Sequence, residues 1–336
     1  MAGVRMRRRE FLEILGAVIV TPAIWPIAAF GQQSAMPIIG FLSSLSLGPA
    51  MAVVAAFRNG LRETGFVEGK NLAIEFRWAE GHHDRLPALA RELVGQRVSL
   101  LFASGGPPAA LAAKSATTTI PIVFSAASDP VKLGLVESLS RPGGNITGMS
   151  AFATELAGKR LELAKELMPA ARVIGYLLNP NGSNVGIELR QARDAAAAIG
   201  LELQFLHAGS ADDFERAFAD AAQRHVDAII VAGGEPFFVI QRQKLVALAA
   251  RHAIPAIYGW REFVAAGGLI SYGTSLPDSY RRAAIYAGRI LKGEKPADLP
   301  VMQPAKFDLT LNLSTAKALN LNIPATLLAR ADEVIG

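Results

Sequence analysis

From Pro37 onward, short apolar runs alternate with stretches whose apolar residues recur at three- and four-residue spacing. That alternation is the sequence sign of parallel βα units with helices on both faces of each sheet. The spacing predicts strands over Ile38–Leu42, Leu72–Arg77, Leu100–Ala103 and Ile122–Ser125, with helices over Ala50–Thr64, Arg85–Gln96 and Ala109–Ala116 between them. Gly65 stands where the first helix needs a residue that can turn left-handed to end it.

A second series follows: helix Glu155–Leu167, strand Val173–Leu178, helix Ile187–Ile199, strand Glu202–Leu206, helix Asp212–Arg224 and strand Ala228–Val231. Pro142-Gly143-Gly144-Asn145 reads as a turn cluster between the two series, and Ile146–Met149 as a strand from which the chain crosses between lobes. A second crossing is expected near Gly273–Pro277, after which helix Asp278–Leu291 returns to the first lobe. Phe307–Leu313 alternates apolar and polar residues as a strand does, and Ser314 is placed to cap a short helix running to Leu319. The expected organisation is therefore α/β, with two doubly wound, parallel-sheet lobes: 37–148 plus 277–300, and 149–276 plus 301–336. The pattern leaves the lobe of the last segment open.

The N-terminus reads differently. Arg5, Arg7, Arg8 and Arg9 precede Glu10-Phe11-Leu12, the form of a twin-arginine export motif. The apolar stretch Leu15–Ala29 is shorter than the roughly 20 residues of a membrane helix and is broken by Pro22 and Pro26. Residues 1–32 are thus expected to be a signal peptide, with cleavage between Ala29 and Ala35 and a product in the periplasm. The 336-residue chain has no Cys, which excludes disulfides, thiolate metal sites, Cys nucleophiles and a lipid-anchored mature N-terminus. Residues 1–32 carry four Arg and two Glu of the 34 basic and 29 acidic residues, so the remainder has a formal charge of 30 − 27 = +3. That is too small to argue for nucleic acid as a partner.

In open parallel sheets ligands bind beyond the carboxyl ends of the strands, where loops meet helix N-termini. Four strand ends carry a polar residue close to a Pro at an expected helix start. They are Ser104-Gly105-Gly106-Pro107, Ser128-Asp129-Pro130, Asn179-Pro180-Asn181 and Gly234-Glu235-Pro236, two in each half, facing an expected interlobe cleft. Ser43 and Ser44 follow the first strand in the same way. Tyr258, Trp260 and Arg261 follow a short strand at Ala256–Ile257; Trp260, Tyr258 or Phe237 would cover an aromatic ligand and Arg261 would clamp a carboxylate. Each of these residues also has an ordinary structural reading, as cap, loop or core; Asp129 in particular suits a helix cap.

Enzyme chemistry finds little support. There is no Gly-x-Ser-x-Gly elbow, no P-loop and no Gly-x-Gly-x-x-Gly after a strand, so no nucleophile and no nucleotide cofactor are expected. His82-His83-Asp84 has metal-ligand residue types, but neighbours on a helix face apart and no second cluster completes a site.

Several ordered segments resemble one family. They are Arg-Arg-Arg-Glu-Phe-Leu at Arg7–Leu12, Ile-Gly-Phe-Leu-Ser-Ser at Ile39–Ser44, Phe-Arg-x-Gly-Leu at Phe57–Leu61 and Gly-Phe-Val-Glu-Gly-Lys-Asn at Gly65–Asn71. Arg77–Gly81, Ser128–Val131 and Arg141–Gly148 continue the likeness. Together they resemble the ABC transporter substrate-binding family that includes tryptophan- and tyrosine-binding members. The resemblance implies the type I periplasmic-binding fold, with two lobes joined by three crossings, and as partners a small ligand, a permease and its ATPase subunits. A monomer that catalyses nothing and needs no cofactor or metal is expected. The family's cleft loops correspond to Ser43 and Ser44, Ser104 to Gly106, Ser128 and Asp129, Asn179 to Asn181, and Gly234 with Glu235. Gly182-Ser183-Asn184 departs from the Asn and Pro frequent there in the family, so second-lobe contacts are expected to differ. An exported sensor subunit for a membrane receptor shares the fold and is the second reading; an exported α/β enzyme is the third.

Overall fold

The computed structural model describes residues 36–336 apart from 155, 183, 184 and 305. The twin-arginine motif and its apolar core lie outside the described residues, as do Ser183 and Asn184. No helix among the described residues is long and apolar enough to cross a membrane.

The chain begins with β1 (Ile38–Ser43), α1 (Leu47–Glu63), β2 (Ala73–Trp78), α2 (Leu86–Gly95), β3 (Leu100–Ser104), α3 (Pro107–Ala116), β4 (Ile122–Ala126) and β5 (Ile146–Ser150). The five strands form a parallel sheet in the order β2-β1-β3-β4-β5. β3, β4 and β5 are buried at every position, because helices cover both faces; that is why β3 and β4 read as largely apolar runs, while β5 buries Thr147 and Ser150 as well. Gly65, with φ +87°, ends α1, and its N–H donates to Arg62 O.

After Ser150 the chain crosses to a second series: α4 (Ala157–Leu167), β6 (Val173–Leu178), α5 (Val185–Ala198), β7 (Glu202–His207), α6 (Asp213–Gln223), β8 (Ala228–Val231), α7 (Pro236–Ile240), α8 (Arg242–Arg251), β9 (Ala256–Tyr258), α9 (Arg261–Ala265) and β10 (Ile270–Gly273). These strands lie in the order β7-β6-β8-β9-β10, all parallel, which repeats the first lobe's order. On α6, Phe214, Ala217, Phe218 and Ala221 form the buried stripe that docks it.

The second crossing, Thr274-Ser275, leads into α10 (Leu276–Leu291), which returns to the first lobe and packs along α1. The approach is close at Gly60, where a Cβ would overlap the Arg281 carbonyl, and an Arg281–Glu63 ion pair at 2.8 Å edges it.

The third crossing brings two corrections. Val301 and Met302, expected in the second lobe, stay with the first: Val301 N–H donates to Leu139 O and Met302 bridges to Met149. The strand that follows this crossing, β11 (Asp308–Asn312), joins the second sheet antiparallel to β10, so that sheet is mixed and not wholly parallel. The geometry requires it, because a chain arriving from the other lobe meets the sheet at the strands' carboxyl ends, with Asp308 paired to Gly273, and must run backwards along it. α11 (Leu313–Ala318), α12 (Ala325–Arg330) and β12 (Glu333–Ile335) complete the edge. α11 is capped by Asn312, whose Oδ1 accepts from Thr315 N–H, and not by Ser314 as expected.

Candidate functional site

In both sheets the strand order reverses at the first strand, between β1 and β3 and between β6 and β8. The loops leaving those strands face one another across a cleft. A cavity sits there. Gly105, Gly106, Ala126 and Leu45 wall it from the first lobe, Gly233, Gly234, Val239 and Trp260 from the second, and Leu276 and Tyr280 from α10. The lobes touch at its edge: a Cβ on Gly106 would lie 3.0 Å from Pro236 Cγ, and one on Gly81 would lie 3.8 Å from Ile240 Cδ1. Trp260 is buried, its indole N–H donating to Gly233 O at 2.9 Å.

A second chamber adjoins this apolar one and sets polar groups among apolar residues such as Leu178, Val185 and Leu189. Asn179, Glu188 and Glu235 line it from the second lobe and His83 from the first, with Gly234 and Glu235 shared between the two chambers. Glu188 accepts from Tyr176 OH at 2.9 Å and from Gly233 N–H at 3.1 Å. Glu235 caps α7 by accepting from Phe237 N–H at 3.0 Å. Burial pushes the Glu235 carboxyl up to about 7; the Phe237 N–H and the Asn179 amide oppose the shift, and the neighbouring Glu188 charge adds to it. Burial holds the His83 imidazole below its ordinary value, against the pull of Asp84, and its Nε2 is buried without a hydrogen-bond partner. The chamber therefore presents two carboxyl groups, an amide and a neutral imidazole, a lining suited to a cationic group and not to an anion.

Of the residues singled out from sequence, Gly105, Gly106, Asn179, Gly234, Glu235 and Trp260 line these chambers. The serines stand behind them. Ser104 Oγ lies 2.8 Å from Tyr280 OH and 3.3 Å from Ser43 Oγ, and Ser44 Oγ donates to Gly105 O at 2.5 Å, so all three fasten the Gly105–Gly106 loop. The main chain of Ser128 accepts from Ser150 Oγ at 2.8 Å. Asp129 accepts from Val131 and Lys132 N–H, but a series of turns follows Pro130 where a helix start was expected. Asn181 is exposed on the outer side of its loop, its amide N–H bonded to Asn179 Oδ1.

Three residues expected to receive ligand lie elsewhere. Tyr258 is buried in the second lobe's core, stacked on Phe263 at 4.6 Å, and Phe237 stacks on Phe214 at 5.3 Å. Arg261 is on the outside, paired through two N–H groups with Glu333 of β12 at 2.5 Å, because α9 leads away from the cleft towards the sheet's edge. Glu188 and Tyr280 carry no sequence signal for this site, and His83 stands in the His82-His83-Asp84 run, whose residue types suggest metal ligands rather than a cleft residue.

A family model described as ABC transporter substrate binding protein matches residues 38–335. The chain is 29% identical over 266 residues to a protein of Clostridioides difficile (strain R20291) named Tyrosine-binding protein, covering 79% of this chain and 75% of that one. Among solved structures it is similar to the ABC domain in complex with L-Trp from Streptococcus pneumonia, with a TM-score of 0.81 and 26% identity over 89% of this chain and 99% of that one. A conserved domain protein from Vibrio cholerae O1 biovar El Tor strain N16961 gives a TM-score of 0.82 at 29% identity, with the same coverage. The ligand-free, open structure of a Clostridium difficile substrate binding protein with adhesive properties gives 0.66 at 26% identity, again with that coverage.

Proposed function

The chain belongs to the family of ABC transporter substrate-binding proteins and has the type I periplasmic-binding fold, and from that premise we propose that it captures an amino acid with an apolar or aromatic side chain. The ligand sits between the lobes and is handed to a permease driven by its ATPase. The observation that carries this reading is the paired cavity: an apolar chamber walled by Trp260, Val239, Leu276 and Tyr280 opens beside a chamber holding Glu188, Glu235 and Asn179. The side chain fills the first, and the ammonium meets the carboxylates of the second.

The mechanism is a clamp. Ligand docks on one lobe, the crossings bend, and the closed form presents both lobe surfaces to the permease. The close approach of Gly106 to Pro236 and of Gly81 to Ile240 supports reading the described arrangement as the closed one. The higher similarity to the L-Trp complex than to the ligand-free, open structure points the same way. No step breaks or forms a covalent bond. Export under the Arg7–Leu12 motif, a periplasmic location and a monomeric state complete the reading.

A thermal-shift screen tests it, using L-tyrosine, L-tryptophan and L-phenylalanine beside the matched acids without the amine and the matched amines without the carboxylate. Ligand at a hundredfold excess over its dissociation constant raises stability by about 2.7 kcal/mol. Equal stabilisation by the acids without the amine would remove the ammonium assignment. Consumption of a ligand during incubation would remove the non-enzymatic reading.

A further inference from the structure

Arg160, on α4, stands first among the largest completely buried side chains of the described residues. Its Nη1 donates to Ala153 O at 2.9 Å and its Nε to Tyr272 O at 3.0 Å. These two acceptors belong to different passages between the lobes. Ala153 lies on the first crossing, its own N–H bonded to Ala127 O of the first lobe at 2.6 Å, and Tyr272 stands at the end of β10, just ahead of the second crossing. The planar guanidinium serves the two carbonyls from separate nitrogens, Nε and Nη1, held in a fixed fork, where an ammonium would have to reach both from a single nitrogen.

The same group lies under the carboxyl ends of three neighbouring strands. A Cβ on Gly233 would come 2.5 Å from Nη1 and one on Gly259 would come 3.1 Å from Nη2, so side chains there and the guanidinium exclude each other. Gly233 belongs to the cleft: its N–H donates to Glu188 and its carbonyl accepts the Trp260 indole. One buried cation therefore touches the ligand loop and two crossings.

We propose that Arg160 is a positioning residue that couples the cleft to the hinge, holding the Gly233–Gly234 loop and the second-lobe ends of two crossings as one body. Bending then falls on the first-lobe side of these bonds, at Phe152 and Thr274. Phe152, with φ +46°, already occupies the left-handed region disfavoured for a residue with a side chain. The inference rests on the reading that the lobes close on a ligand.

The absence of native Cys allows spin labels at Arg91→Cys on α2 and Gln223→Cys on α6, both exposed, for pulsed interlobe distance measurements on the full chain. Arg160→Lys keeps the charge without the fork, and the expected result is an interlobe distribution about twofold broader than the parent's. In Arg160→Gly, methylguanidinium narrows it again and methylammonium does not. Equal widths in the parent and Arg160→Lys, or a broadening that methylguanidinium leaves unchanged, overturn the proposal. Hydrogen exchange on the unsubstituted protein covers variants that fail to fold: the Gly233, Ala153 and Thr154 amides are expected to open together, and Gly233 exchanging more than about tenfold faster overturns it. A parent that binds none of the screened amino acids, but whose interlobe width still depends on Arg160, would remove the proposed ligand and leave the coupling standing.

Discussion

Gly106 and Pro236 meet across the cleft, one just before α3 and the other at the first position of α7, where a methyl group on Gly106 would come 3.0 Å from Pro236 Cγ, a few tenths of an ångström tighter than ordinary contact. Gly106 also has φ +104°, a conformation that side chains resist. Gly106→Ala is therefore expected to hold the lobes apart and to weaken ligand binding by about tenfold or more, while the backbone strain by itself costs about 1–3 kcal/mol. Ligand titration by tryptophan fluorescence, beside a thermal melt, separates the two effects. Unchanged affinity would mean that closure does not bring these residues together.

Glu235 gives the cleft a pH dependence. In the folded chain its carboxyl keeps a proton up to about pH 7, against an ordinary value of 4.5, so folding takes up a proton between those limits. Its contribution to stability is thus greatest below pH 4.5, falls as pH rises to about 7, and is level above. The full span is on the order of 3 kcal/mol. Urea melts at pH 5 and pH 8 should show this slope in the parent and lose it in Glu235→Gln.

Binding of an ammonium ligand has the opposite sign, since it needs the ionised carboxylate. Affinity is expected to rise as pH passes through about 7, with roughly half a proton released per ligand bound at that pH and up to one below it. Calorimetry in buffers of different ionisation enthalpy counts that proton. A pH-independent affinity would remove Glu235 as the ammonium's partner.

Arg261→Ala should leave ligand affinity unchanged, because Arg261 pairs with Glu333 on the outside of the second lobe. With its side chain 52% exposed, the ion pair is worth at most about 1 kcal/mol. A loss of binding with intact folding would return Arg261 to the site.

Trp260→Phe keeps the apolar wall but leaves the Gly233 carbonyl without its indole donor. The expected cost is about 1–3 kcal/mol of stability, with weaker ligand binding as the Gly233–Gly234 loop loosens. Chemical denaturation and a ligand titration read the two losses.

Much of the fold was legible in the sequence because sheets covered on both faces write their strands as apolar runs, and helices docked on one side write an apolar stripe. The loops that could approach a ligand were legible for a related reason: Gly105-Gly106 and Gly234-Glu235-Pro236 follow strands and carry the residues that allow close backbone approach and a helix start. What such local signals do not specify is the direction a polar side chain takes once its element has docked. Glu188 reads as one more solvent-facing position of an amphipathic helix, yet α5 turns it onto Tyr176 and the cleft. Tyr280 reaches Ser104 from 176 residues away, and Arg160 joins the first crossing to a strand end 112 residues on. Tyr258 and Arg261, within two residues of Trp260 in sequence, end in the core and on the outer surface because Tyr258 closes β9 inside the second lobe while Arg261 opens α9. The antiparallel course of β11 likewise depended on where the third crossing enters the sheet. The sequence by itself determined which segments become strands, helices and cleft loops, since these follow from local periodicity and turn chemistry. Only the tertiary structure decided which charges face the ligand, because burial of a side chain depends on surfaces contributed by distant parts of the chain.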